Sequence, residues 1–87
     1  MDNATLIARL KEIVAPYAKN EEALQQINAT TDFINDLKIN SANLVDVILD
    51  VEEKFDITIS NEEMEKMLNV QAAMDIITAK LNTGAGE

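Results

Sequence analysis

The chain has 87 residues, 47% of them apolar, with 16 acidic against 7 basic residues and a net charge of −9. That balance argues against nucleic acid and anionic membrane as partners, because both need a basic face, and it favours basic protein surfaces. The sequence contains no His and no Cys, which removes the usual zinc ligands, disulfides and the ordinary base of a serine nucleophile.

A chain this short buries only about 60% of the surface its unfolded form exposes, so it makes one small domain with little stability to spare. The expected domain covers residues 1–82, with a small, flexible tail over 83–87. The absence of Cys fits a reducing cytoplasm. Asp2 and Asn3 open the chain without a leader pattern. No apolar run approaches the roughly 20 residues of a membrane span.

The first helix is predicted from about Ala4 to Ala18, because Leu6, Ile7, Leu10, Ile13, Val14 and Tyr17 recur at helical spacing. Pro16 cannot donate a backbone hydrogen bond and is expected to kink or end its last turn. A long connection follows, from about Lys19 to Asn40, with a short helical turn expected from Glu22 to Ile27. Leu24, Ile27, Phe33, Ile34 and Leu37 suggest that this connection is pinned to the core. Asp32, Asn35 and Asp36 within it do not match a calcium loop, which needs other spacing and a glycine, so no metal site is expected.

The second helix is predicted from about Ser41 to Phe55, with Asn40 or Ser41 as its cap. Asp56 to Ile59 reads as an extended link. The third helix, about Asn61 to Leu68, starts with a capping box in which Ser60 and Glu63 are reciprocal partners. The fourth runs from about Val70 to Leu81 behind Asn69. The architecture expected is all-α: a four-helix bundle of three main helices and one short one, with a long first loop.

The second helix carries two apolar stripes. Leu44, Ile48, Val51 and Phe55 form one, with Val47 beside it; Ala42, Val45 and Leu49 form the other, bordered by Asp46, Glu52 and Glu53. Either both stripes are core, or the second stays exposed as a docking surface with an acidic rim. Asp46, Asp50, Glu52 and Glu53 all lie on this helix, and so many carboxylates are hard to bury, which favours docking. Ser41 likewise has two readings, a helix cap or a point of covalent attachment. A catalyst is not expected, since a small all-α chain offers little room for a pocket and no base for the serine.

The run Asp36-Leu-x-x-Asn-Ser-Ala-x-x-Val-Asp-x-Ile-x-x-x-Glu-Glu-x-Phe55 resembles the attachment region of acyl carrier proteins. Ile57-x-Ile-Ser-x-Glu-Glu63 and Val70-Gln-Ala-Ala-Met-Asp-Ile-Ile77 are similar to the family's later blocks. The resemblance covers roughly Leu6 to Leu81. It implies a four-helix carrier fold, with 4′-phosphopantetheine attached to Ser41 from coenzyme A by a separate phosphopantetheinyl transferase. The arm's thiol would carry acyl groups as thioesters in fatty acid, polyketide or other lipid synthesis. The implied partners are that transferase and acyl-transferring and synthase enzymes with basic docking surfaces. They would meet a non-catalytic, cytoplasmic, monomeric carrier through Asn40, Ala42, Val45, Asp46, Leu49, Glu52 and Glu53.

The family usually has Asp-Ser-Leu where this chain has Asn40-Ser41-Ala42, and small residues where it has Lys38 and Ile39. These departures suggest dedicated partners in a specialised pathway. A carrier of aminoacyl or peptidyl groups is the alternative within the same fold, against which the acidic helix argues. A helical interaction module without a prosthetic group is the alternative outside it.

Overall fold

The computed structural model describes the backbone of residues 2–85 and the side-chain surroundings of residues 2–81. Its elements are α1 (Asn3–Val14), α2 (Glu21–Gln25), α3 (Ser41–Phe55), α4 (Asn61–Lys66) and α5 (Val70–Ala85), with no strand among the described residues. The expected all-α bundle is present, and the turn expected from Glu22 to Ile27 is the short helix α2, which starts one residue earlier and ends two residues earlier.

Helix α1 begins where the Asp2 carboxylate accepts the Thr5 N–H at 2.7 Å. That satisfies one of the open donors of the first turn. Leu6, Leu10, Ile13 and Val14 are its buried residues. The helix ends at Val14, earlier than Ala18. Pro16 cannot donate, and the Tyr17 and Ala18 N–H groups both turn back to the Val14 carbonyl at 2.9 Å.

The connection to α3 is ordered by its own side chains and by two long-range clamps. Asp32 Oδ1 accepts from the Ile34 and Asn35 N–H groups, and Asp36 Oδ2 accepts from Asp32 N–H. Such Asx contacts substitute for backbone pairing in a turn. At one end, the Lys19 and Asn20 N–H groups both donate to the Leu37 carbonyl. At the other, an isolated antiparallel bridge joins Asp32 to Asn69. Around it Phe33 N–H donates to the Leu68 carbonyl, Val70 N–H to Thr31 and Gln71 N–H to Ala29. Phe33, Leu37 and Ile39 are thereby driven into the core, each at most 1% exposed. A long loop persists in a small domain because burial and clamping offset its ordering entropy.

Helix α3 packs against α1, as α5 does. It closes with Asp56 in the left-handed region at φ 54, whose N–H donates to the Glu52 carbonyl. This is a standard helix stop, although the residue is not glycine. In α4 both halves of the expected capping box form: Glu63 N–H donates to Ser60 Oγ, and Ser60 N–H to Glu63 Oε1. That helix stops at Lys66, two residues before the expected Leu68, and Met67 turns down into the core at 1% exposure.

Asn69 caps α5 through its Oδ1, which accepts Ala72 N–H at 2.8 Å. Val70, Ala73, Met74 and Ile77 are its buried residues. The helix continues to Ala85 instead of ending at Leu81. Asn82 and Thr83 do not stop a helix, and a glycine such as Gly84 costs only about 1 kcal/mol there. Residues 83–85 of the expected tail are therefore helical in backbone, and Gly86 and Glu87 lie outside the described residues. The Lys80 ammonium meets the Glu63 carboxylate at 2.9 Å, tying α5 to α4.

Candidate functional site

Ser41 is the first residue of α3 and is exposed. The cap is Asn40, in extended conformation at φ −64 and ψ 137. Its Oδ1 accepts Ala42 N–H at 2.9 Å, and its carbonyl accepts from Asn43 and Leu44 N–H. With Asn40 doing that work, the Ser41 hydroxyl makes no hydrogen bond among the described residues. It stands on a fixed base, because Ile39 on one side is 1% exposed and Leu44 on the other 7%. Burial on both flanks holds the backbone while Asn40, Ser41 and Ala42 stay in solvent.

The two stripes of α3 separate. Leu44, Val47, Ile48, Val51 and Phe55 are buried. Ala42, Val45 and Leu49 are exposed, Val45 at 45% and Leu49 at 52%. The alternative in which both stripes are core is excluded. Asp46 and Glu53 are exposed, and the helical repeat of 3.6 places them on the same side as Ala42, Val45 and Leu49. This face begins at Ser41 and runs down the helix as apolar anchors with carboxylates among them.

The acids on the edges of that face are spent on structure. Glu52 is half-buried, and its Oε2 accepts Ile59 N–H at 2.7 Å, which fixes the link after α3. Asp50 is half-buried and accepts the Tyr17 hydroxyl at 3.0 Å. That bond holds the phenol above its ordinary pKa, because the carboxylate stabilises the protonated form. Of the residues expected to meet partners, Ala42, Val45, Asp46, Leu49 and Glu53 therefore share the open face. Asn40 is occupied as the cap, and Glu52 is turned toward Ile59.

Two features take a form that the local pattern of residues does not announce. Leu68 is 47% exposed at the junction of α4 and α5, while its carbonyl clamps Phe33. It was expected to close the third helix, but α4 ends two residues before it. Lys38 takes a positive φ of 59 three residues before Ser41, and nothing in a lysine announces the left-handed region. Beside Lys38 lies an open polar groove of about 360 Å³, between α2 and the loop.

No group of acidic side chains among the described residues is arranged to hold a metal ion. The Asp32 and Asp36 carboxylates are taken up by backbone N–H groups of their own loop. No helix among the described residues is long and apolar enough to cross a membrane.

A family model described as "phosphopantetheine attachment site" matches residues 8–77 of the chain. Among solved structures, an acyl carrier protein from Enterococcus faecalis is similar at 25% identity and a TM-score of 0.73. The match covers 92% of this chain and 99% of that one.

Proposed function

This chain belongs to the phosphopantetheine attachment family, with the fold of an acyl carrier protein, and from that premise we propose that Ser41 bears the prosthetic group. A carrier domain of this kind is the attachment site of 4′-phosphopantetheine. When bound, that group supplies a terminal thiol on which an acyl chain is held as a thioester.

The observation that carries the reading is the state of the Ser41 hydroxyl. It is exposed, without a hydrogen-bond partner among the described residues, and relieved of capping by Asn40. The residues fit a phosphodiester there. The start of a helix favours negative charge, and Asn40 is neutral where a carboxylate would repel it. The chain has no His to serve as base, so activation of the hydroxyl falls to the modifying transferase, which takes the arm from coenzyme A. In this reading Ser41 is a tether and the protein is not itself a catalyst.

The open face of α3 supports docking by basic synthase and transferase enzymes. Val45 and Leu49 supply apolar area, while Asp46 and Glu53 steer and orient. Asn40 and Ala42 narrow the choice of partner, one by removing a charge and the other by offering a smaller anchor. We place the carrier in a specialised polyketide or lipid pathway on that basis, working as a cytoplasmic monomer.

Incubation with coenzyme A and a broad-specificity phosphopantetheinyl transferase, followed by intact mass, tests the reading. The expected result is one added phosphopantetheine, abolished by Ser41→Ala with the helical fold retained. No addition, even with the host's own transferase, would leave a helical interaction module. Loading and normal turnover by primary fatty acid enzymes would sink the specialised pathway.

A further inference from the structure

The open groove beside Lys38 is polar, and several of its side chains have work left to do. Some of its polar groups are committed to the loop. Asn20 Oδ1 accepts Ala23 N–H, Asn28 bonds Thr30 and Thr31, and Asp36 Oδ2 accepts Asp32 N–H. The side-chain amides of Gln26 and Asn35 and the Lys38 ammonium line the same groove. None of the three makes a hydrogen bond among the described residues.

Lys38 is placed there at a cost. A lysine at φ 59 is less stable than a glycine would be. It is exposed, and it puts a cation three residues before Ser41 in a chain of net charge −9. Even fully extended, three residues span at most about 11 Å. An arm built of pantoyl, β-alanyl and cysteamine units is a longer chain than that, so the Lys38 end of the groove is within its reach. The arm's two amides and its hydroxyl need donors and acceptors, which carboxamides provide. Its phosphodiester needs a cation, and Asp36, the carboxylate lining the groove, is already engaged by a backbone donor.

We propose that the groove between α2 and the loop before α3 holds the resting prosthetic arm, with Lys38 paired to its phosphodiester and Gln26 and Asn35 bonded to its amides. This rests on Ser41 being the attachment site. The groove suits the polar arm and not an apolar cargo. It therefore holds the arm to one side of Ser41 while the Val45–Leu49 face of α3 remains open to a partner.

The test compares apo and holo protein by nitrogen–proton correlation spectra that include side-chain amides, then repeats the holo measurement with a nitroxide on the arm's thiol. The expected result is shifted resonances for the backbone amides of Gln26, Thr30, Asn35 and Lys38 and for the side-chain amides of Gln26 and Asn35. The nitroxide should broaden the same signals. Lys38→Asn removes the cation and keeps a residue that tolerates the left-handed region; Lys38→Gly does so without backbone strain. Both should take the arm fully by mass and lose the broadening in the groove. Complete modification with perturbations confined to residues 40–44 and the rest of α3 would overturn the proposal and leave the carrier function standing. Groove broadening undiminished in both variants would overturn the role of Lys38. Absence of modification at Ser41 would instead overturn the carrier reading and this proposal with it.

Discussion

The Tyr17 hydroxyl donates to the Asp50 carboxylate across 33 residues of sequence, at 3.0 Å, and joins the turn after α1 to the middle of α3. Pro16 ends α1 just early enough for Tyr17 to turn toward α3. The carboxylate raises the phenol's pKa in the folded state above its ordinary value of 10.0. Stability from this pair is fully present below that ordinary value and is lost as pH rises through the higher folded value. Tyr17→Phe should lower the denaturation midpoint at neutral pH and flatten its decline in strong alkali. An unchanged alkaline profile would show that the bond does not persist in solution.

The capping box of α4 gives the opposite pH dependence. Glu63 is held below its ordinary 4.5, first by the Ser60 N–H and then by Lys80. Its contribution is present above about pH 4.5 and fades as pH falls through the lowered folded value. Ser60→Ala should cost about 1 kcal/mol at neutral pH, and Glu63→Gln should flatten the loss of stability in acid. Urea titrations at both pH values check this.

Neighbouring residues on α3 should respond in opposite ways. Ile48→Ala empties a position that is 1% exposed and should cost about 2–5 kcal/mol of stability. Leu49→Ala should change stability by no more than about 0.5 kcal/mol, yet weaken partner binding by about 1 kcal/mol or more. Equal effects on binding from both variants, after allowing for unfolding, would argue against a docking role for Leu49.

The same contrast holds between adjacent glutamates. Glu52→Ala leaves the Ile59 N–H without its charged acceptor and should cost about 1.5–3 kcal/mol. Glu53→Ala should be nearly neutral for folding. Asp46→Lys with Glu53→Lys should slow partner association most at low salt, where screening is weakest. Stopped-flow association across a salt series reads this directly.

Much of this was legible beforehand because it rests on short-range rules. Leu44 and Leu49 were assigned to different stripes by spacing alone. The Ser60–Glu63 box and the stop at Pro16 follow from hydrogen bonds within a few residues. The parts that were not legible depend on distant chain. Glu52 belongs with the acids of α3 by position, but its carboxylate is captured by Ile59, in the link that follows. Leu68 looks like the end of a helix, yet its carbonyl is claimed by Phe33 and its side chain left in solvent. Lys38 gives no local hint of positive φ, because Phe33, Leu37 and Ile39 impose the bend by burying themselves around it. The cap was ambiguous between Asn40 and Ser41, and only the backbone path into α3 decided it.

The bridge between Asp32 and Asn69 makes two remote stretches a single opening unit. Loop residues 29–33 cannot lift away without releasing the first turn of α5, since Ala29, Thr31 and Leu68 carbonyls hold the Gln71, Val70 and Phe33 N–H groups. Those three amides should exchange with solvent at one common rate, slower than the amides of α2. A ligand or partner that grips the loop would then be felt at the head of the last helix, on the opposite side of the sequence from the serine it serves.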